Sequence, residues 1–600
     1  MLSWMLTLST ERSSDRAAAP AHDAIPPSEH TFTSHDGATI FYRAWPARQP
    51  AAHPRSILLF HRGHEHSGRW QETVQALAPC NCNIYAWDQR GHGRSSGERG
   101  GAPSIAAVTK DADLWARHLA REHDLEPRNT VIVSHSVGAV IAAAWVHDFA
   151  PPIRGLVLGA PALRVKLYVP LAIPALRLKQ RLLGPGTVKS YVKARMLTHD
   201  PAEAAAYQAD PAIFRQIAVN VLLDLHDTST RLIADAGAIT TPTLILAAER
   251  DWIVHLEAQK EFYRNLGSPT KQFEILPGFY HALFHERERP VVTDRIRAFI
   301  DECFTRAPQT RETLIRSDKG GHTKTEYDLL RTPGSLRWKA TRAMVRLGGA
   351  LSEGMRLGRR WGFDSGVMLD YVYENKSHGV TPIGKLIDRS YLNAIGWRGI
   401  RIRRENLQAV LRSAIDRTSK DGRAVVILDI ASGPGRYVLE TIKGLNGRPA
   451  TAILRDYKQE NLAAARAHAE RLGLTNIRIE HGDAFDRDGL GALNPHPTIA
   501  IVSGLYELFP ENEPVRRSLA GLAKAVRPGG LLVYTCQPWH PQVEFIARAL
   551  TNREGRPWIM RRRTQAEMDA LVEDAGFEKI SQEIDPWGIF TVSVARRIEQ

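Results

Sequence analysis

Two segments of this chain each pass from a short buried-strand pattern through a turn of small residues into a helix. They are Val131-Ile-Val-Ser-His-Ser-Val-Gly138, leading into an Ala-rich stretch at 139–144, and Val425-Val-Ile-Leu-Asp-Ile-Ala-Ser-Gly-Pro-Gly-Arg-Tyr437. The turns differ in kind, so the halves are not copies of one repeat. At about 100–200 residues per domain, a chain of 600 residues needs at least two cores. Around each turn, short apolar runs alternate with amphipathic stretches, the pattern of buried parallel strands separated by helices. The expected fold class is α/β, in two domains.

The first series holds the strand-like runs 56–60, 83–87 and 130–133. Over 161–235 the strand rhythm gives way to helical sequence interrupted by Pro170, Pro174 and Pro185, and it resumes at 243–246 and 272–276. A sheet interrupted and then resumed suggests a helical cap over a site. The expected boundaries are a flexible N-terminus at 1–29 rich in Ala, Pro and Ser, an α/β domain at 30–305 with its cap at about 161–235, and a polar aperiodic linker at 306–325. A basic helical region at 326–420 and a second α/β domain at 421–600 follow. The apolar start of the chain has no charged leader and is too short for a signal peptide. No apolar run reaches the ~18 residues of a membrane span. Cys80, Cys82, Cys303 and Cys536 lack the spacing of a disulfide framework or a zinc site, so no metal and a reducing cytoplasm are expected.

In the first turn Ser136 sits between Ser134 and Gly138, small residues that let strand and helix approach around a strained elbow. An acid and a histidine follow in the order that catalytic triads of this type require: Asp251 after the strand at 243–246, and His281 after the strand ending at Leu276. His281 would take the proton of Ser136, and Asp251 would hold the imidazole and its charge. The N–H of Val137 and that of Gly63, in the loop after strand 56–60, are the expected oxyanion donors. His64, His66, His92, His135 and His285 read as structural or surface residues rather than ligands.

The stretches His61-Arg-Gly-His-Glu-His-Ser-Gly-Arg-Trp70 and Asp88-Gln-Arg-Gly-His-Gly-Arg-Ser95 resemble the monoacylglycerol lipase and lysophospholipase group of α/β-hydrolases, of the S33 serine aminopeptidase type. The resemblance covers about residues 30–303. It implies an eight-stranded sheet, a lipid-facing cap and hydrolysis of small acyl esters. Two positions depart from the pattern. Arg62 stands where the group has glycine and would crowd the oxyanion loop, and Ser134 replaces the usual first glycine of the elbow.

In the second turn, Gly433 and Gly435 allow close approach of a ligand to the backbone, and Asp429 ends the strand. The spacing differs from the three-glycine dinucleotide fingerprint. Asp429-Ile-Ala-Ser-Gly-Pro-Gly435 instead resembles motif I of class I methyltransferases, with Ala431 in place of the commoner first glycine and Ser432 beside it. The resemblance implies S-adenosylmethionine as cofactor. Asp456, at the end of the next strand, would accept both ribose hydroxyls, and Asp483 and Ala484 would lie against the adenine. Tyr506, Glu507, Gln537 and His540 follow the fourth and fifth strands and face the expected methyl-acceptor side. The stretch 325–598 as a whole resembles methyltransferases found fused behind such hydrolases. The expected architecture is therefore an α/β-hydrolase fold with a helical cap, then a Rossmann-like methyltransferase fold with an N-terminal helical extension.

The chain carries a net charge of +14. Between Arg331 and Arg404 there are fifteen Lys/Arg against five Asp/Glu. Over 336–361, Ala340, Met344, Leu347, Leu351 and Met355 recur at helical intervals among arginines. This stripe either packs on the methyltransferase core, the reading favoured here, or lies on anionic lipid at the inner face of the membrane. No nucleic-acid motif accompanies the charge, so no nucleic-acid partner is expected. The favoured reading is a bifunctional enzyme of lipid metabolism acting on an acyl ester and on a small-molecule or lipid methyl acceptor. The alternatives are a non-catalytic hydrolase-fold module beside an active methyltransferase, or a small-molecule esterase with an unrelated acceptor.

Overall fold

A computed structural model describes residues 26–599, so most of the flexible lead-in expected over 1–29 lies outside the described residues. The first sheet contains β1 (Ser28–Thr33), β2 (Thr39–Trp45), β3 (Arg55–Phe60), β4 (Cys82–Trp87), β5 (Thr130–His135) and β6 (Gly155–Gly159). After a cap carrying the hairpin β7 (Thr187–Lys189) and β8 (Gln216–Ala218), the sheet is completed by β9 (Thr243–Ala248) and β10 (Lys271–Leu276). Its eight strands run in the order β1-β2-β4-β3-β5-β6-β9-β10, and only β2 is antiparallel to the rest. Strands β3, β5, β6 and β9 are apolar and buried on both faces, which is why they read as continuous apolar runs. The cap also contains helices Ala172–Leu183, Pro201–Ala209 and Val219–Ala234, so it is helical except for its short hairpin.

The second sheet holds β11 (Val426–Asp429), β12 (Thr451–Asp456), β13 (Ile477–His481), β14 (Ile499–Val502), β15 (Leu531–Cys536), β16 (Phe577–Ile584) and β17 (Thr591–Arg597). Their order is β13-β12-β11-β14-β15-β17-β16, with β17 antiparallel to both its neighbours. The order reverses at β11, between β12 and β14. A doubly wound sheet opens its ligand crevice at that point, beyond the carboxyl ends of the strands.

Three expectations need correcting. The stretch 306–325 is not an aperiodic tether: it forms helices Arg311–Ile315 and Ser317–Gly320 and the first turn of His322–Arg331. Asp318 in it is buried and accepts the Asn512 N–H at 2.9 Å. The basic stripe over 336–361 is not one helix but two, Leu336–Gly349 and Glu353–Trp361. Ser352 breaks it, its hydroxyl capping the second helix at Met355 N and donating to Asp388 at 2.6 Å. The stripe packs on the methyltransferase half only in part: Met355 is buried in a cluster with Trp397, Trp558 and Phe590, whereas Met344 and Leu347 are 67% and 76% exposed.

The halves share a polar interface. Lys579 donates to the Phe149 carbonyl at 2.7 Å, Gln582 to the Asp148 carbonyl at 2.7 Å, and Arg117 to the Ile580 carbonyl at 2.8 Å. Helix Val137–Phe149 is buried from Gly138 to its end. It packs on the first sheet and against the second half, so its sequence is apolar all round.

Candidate active sites

The end of β5 delivers Ser136 at φ 54° and ψ −114°, a strained backbone held between strand and helix. Gly138 permits this: a Cβ there would lie 2.4 Å from the His61 carbonyl oxygen and 2.6 Å from that of Phe60. Ser134 keeps the elbow intact although it is not glycine, because its buried hydroxyl donates to the Val157 carbonyl at 2.6 Å on the neighbouring strand. His281 Nε2 lies 2.8 Å from Ser136 Oγ, and His281 Nδ1 lies 2.8 Å from Asp251 Oδ2. The second Asp251 oxygen accepts the N–H groups of Ile253 (2.7 Å) and Val254 (2.9 Å). Burial pushes the Asp251 carboxyl up. His281 and those two N–H groups outweigh it, and the pKa falls below the ordinary carboxylate value.

His135, expected as a structural residue, and Gln89, to which the sequence assigned no role, both support the site. His135 Nε2 donates to the His281 carbonyl at 2.8 Å, which fixes the backbone under the imidazole. The Gln89 N–H donates to His61 Nε2 at 2.9 Å, so Nδ1 carries the proton and donates to the Arg62 carbonyl at 2.7 Å. That pair fastens the loop holding Gly63 to the turn after β4. A Cβ on Gly63 would meet the Val137 side chain at 3.2 Å. No described residue accepts the N–H of Gly63 or Val137, so both donors are free for a ligand. Arg62 does not crowd the loop: it bonds Glu65 at 2.9 Å and lies over the Tyr207 ring of the cap at 4.7 Å.

Above Ser136 and His281 opens a cavity of about 440 Å³, walled by Ile141, Val165, Leu176, Val221 and Leu225. Its size and apolar wall suit a chain-bearing ligand. A hydroxyl bonded to an oriented imidazole, beside two free N–H donors, can attack an acyl carbonyl and stabilise the resulting oxyanion.

At the second switch point, Asp429 is buried and accepts the Tyr437 hydroxyl and the Ala431 N–H. Burial pushes its carboxyl up to about 7. Gly433 (φ +54°) faces open space beside Ser432, and Gly435 (φ +67°) has its Cβ direction closed by Leu454 at 2.6 Å. Asp456 accepts the N–H groups of Gly433 and Lys458 and the Asn461 amide, all at 2.9 Å. A carboxylate has about four acceptor positions, so as arranged Asp456 has room for one ribose hydroxyl rather than both. Asp483 is exposed and turns back on the Phe485 N–H at 2.9 Å, while Ala484 is buried against the core. The open Gly433 turn and the Asp456 carboxylate are the groups that could hold a nucleoside cofactor.

Three of the four acceptor-side residues come together and one does not. Glu507, Gln537 and His540 line a cavity of about 120 Å³ with Trp397, Trp558 and Phe590. Tyr506 instead points into the core, its hydroxyl donating to Ser518 at 2.9 Å. His540 Nδ1 accepts the Gln542 N–H at 3.0 Å, so the proton of the neutral ring sits on Nε2. Burial, reinforced by Arg562, pushes its pKa down to about 3. His540 is thus a hydrogen-bond donor and not a base. Arg403 also lines this cavity; its signal was lost among the many arginines of the helical extension.

The folds and sites define a two-part chain, an α/β-hydrolase carrying a Ser-His-Asp constellation joined to a methyltransferase-type domain. A family model described as "Serine aminopeptidase, S33" matches residues 51–288, and one described as "Putative methyltransferase" matches residues 296–597. The chain belongs to the latter family, with a hydrolase domain of the former type in front of it. It is 49% identical over 581 residues to "Uncharacterized protein YnbC" of Escherichia coli, covering 95% of this chain and 98% of that protein. It is 27% identical over 275 residues to the monoacylglycerol lipase of Mycolicibacterium smegmatis, covering 46% of this chain and 96% of that one. With the human monoglyceride lipase it shares 26% identity over 273 residues, covering 44% and 85%.

Proposed function

We propose that the chain is a bifunctional enzyme of lipid metabolism, a serine ester hydrolase for monoacyl esters joined to an S-adenosylmethionine-dependent methyltransferase. One observation carries the first part: the unbroken Ser136–His281–Asp251 hydrogen-bond chain at the floor of an apolar cavity. Ser136 attacks the ester carbonyl, His281 takes its proton and later gives it to the leaving alcohol, and Asp251 holds the imidazole. Gly63 and Val137 donate to the oxyanion. The likeness to monoacylglycerol lipases supports an acylglycerol or lysophospholipid-like ester.

In the second half, Gly433, Ser432 and Asp456 hold the nucleoside part of the cofactor, with Ala484 beneath the base. S-Adenosylmethionine, when bound, supplies an electrophilic methyl group. The helical extension is tied to the cofactor turn: Arg436, at the turn, donates to Asp370 of helix Gly366–Glu374 at 2.9 Å. Trp397, Trp558 and Phe590 form an aromatic wall on the acceptor side.

The exposed cap helix Ala172–Leu183, with Leu182 and Leu183 at 70% and 75%, and the exposed stripe of helix Leu336–Gly349 support peripheral contact with anionic lipid. Among the described residues no helix is long and apolar enough to cross a membrane.

The test is labelling with a fluorophosphonate. The folded protein should label at Ser136 and the Ser136→Ala variant should not. A wild-type protein that stays unlabelled, or a variant that still cleaves short acyl esters, would remove the hydrolase reading. Binding of S-adenosylhomocysteine, followed by calorimetry, tests the second half separately.

A further inference from the structure

The aromatic cavity beside Gln537 and His540 gathers several hydrogen-bond donors at its polar end, next to the Glu507 carboxylate. Arg403 is buried on helix Ile395–Lys420. Its guanidinium is ion-paired with the Glu507 carboxylate, 3.6 Å from Nη1, but makes no hydrogen bond to any described residue, and its Nε has no partner. Gln537, equally buried, has an amide nitrogen without a partner. His540 presents its Nε2 proton, because its other nitrogen is occupied by a backbone N–H. Buried polar groups are ordinarily satisfied, so three unspent donors converging on one cavity mark the place of an absent acceptor. A planar guanidinium matches a carboxylate in geometry as well as charge. Trp397, Phe545, Ile546, Leu550, Trp558 and Phe590 make most of the remaining wall; Asp364, also on it, is spent on Arg553, with which it forms an ion pair at 2.9 Å.

We propose that this cavity binds an aliphatic carboxylic acid, its carboxylate on Arg403, Gln537 and His540 and its chain among the aromatic rings, and that this acid is the methyl acceptor. The inference rests on the methyltransferase reading and names its acceptor class. Two further features agree with it. A carboxylate needs no deprotonation before it accepts a methyl group, and His540 is a donor rather than a base. Hydrolysis of an acyl ester in the first half releases a product of this chemistry, so the class of reaction that supplies the second site is ester cleavage.

The experiment is calorimetric titration of the full chain with decanoate, 1-decanol and decylamine, and separately with S-adenosylhomocysteine. Decanoate should bind about tenfold to a hundredfold more tightly than the alcohol or the amine, as a charge-assisted contact implies. The hydrolase cavity offers a second apolar site, so the assignment rests on variants. Arg403→Gln should remove the tight decanoate site and leave the affinity for S-adenosylhomocysteine unchanged, and Arg403→Lys should retain part of the decanoate affinity. Gln537→Leu, which keeps the guanidinium, should weaken decanoate by a smaller factor and keeps the test available if Arg403→Gln does not fold. Equal binding of decanoate and decanol, or unaltered decanoate binding in both variants, overturns the proposal. So does a loss of S-adenosylhomocysteine affinity alone in Arg403→Gln, which would give the guanidinium to the amino-acid carboxylate of the cofactor. Failure of wild-type protein to bind S-adenosylhomocysteine would instead sink the methyltransferase reading and leave the decanoate result standing.

Discussion

Asp235 Oδ1 accepts a hydrogen bond from Arg562 Nη2 at 2.7 Å, across 327 residues of chain. Asp235 closes the last cap helix, and Arg562 reaches it from the loop that precedes helix Gln565–Asp574. Arg562 also donates to the Pro538 carbonyl, two residues from His540. One buried cation thus touches the hydrolase cap and the acceptor side of the methyltransferase. Asp235 also accepts from His147 and His322, and Arg562 keeps Glu326 as a second partner, so losing Asp235 removes the hub on which the two halves converge rather than leaving Arg562 unpaired. Asp235→Ala should therefore split a single calorimetric melting transition into two; one unsplit transition at the wild-type temperature would contradict this.

The same cluster sets a pH dependence. Burial pushes His147 down, but Asp148 and Asp235, one on each ring nitrogen, hold it above its ordinary 6.5. That contribution is complete below 6.5 and is lost as pH rises through the folded value. Burial pushes Asp148 up from 3.8, yet Arg231 and His147 bring it down to about 2. Its contribution is complete above 3.8 and is lost as pH falls toward 2. The cluster contributes most between those limits. A plot of melting temperature against pH should fall on both sides, and His147→Gln should flatten the alkaline limb.

At the elbow, Gly138→Ala should be nearly as damaging as losing the serine. The added Cβ meets backbone oxygens, which cannot rotate away. We expect ester turnover to fall by about 10³-fold or more in Ser136→Ala. Gly138→Ala should show a comparable loss together with a destabilisation of about 1–3 kcal/mol. Turnover of p-nitrophenyl esters and thermal melts measure both.

Asp429 should trade stability for binding. Its folded pKa is raised to about 7 by burial. The penalty for holding it ionised is therefore absent below 3.8, grows as pH rises and is complete above 7. Asp429→Asn should raise the melting temperature of the cofactor-free protein at pH above 7 and weaken S-adenosylhomocysteine. An unchanged melting temperature would show that the buried carboxyl carries no such cost.

The membrane proposal predicts that full-length protein floats with vesicles containing anionic lipid at low salt and is released as salt rises. Met344→Glu with Leu347→Glu should abolish flotation while leaving fluorophosphonate labelling intact. Flotation that survives both substitutions would assign any lipid contact to another surface.

Much of the chemistry was legible in the sequence because it depends on local order: strand, small-residue turn, helix, then acid and histidine at later strand ends. Ser136, Asp251 and His281 meet as that order implies. The segment 306–325 was not legible, since helices of four or five residues are too short to show a 3.6-residue period. Tyr506 was misplaced because one residue of rotation separates core from cavity in the turn after β14. Arg403 and Arg562 were invisible for another reason. Burial of a charge is decided by partners far along the chain, and in sequence such an arginine looks like its solvated neighbours.

Strand β16 ends the second sheet, and a terminal strand is an open seam to which another chain can pair. Here the hydrolase domain lies against it: Arg117 donates to the Ile580 carbonyl of the strand, and the Gln582 and Lys579 side chains donate to the carbonyls of Asp148 and Phe149. A methyltransferase half severed from its partner would carry that seam unguarded and would tend to self-associate. The hydrolase half in this sense occupies space beside the sheet edge that a second chain would need, whatever passes between the two sites.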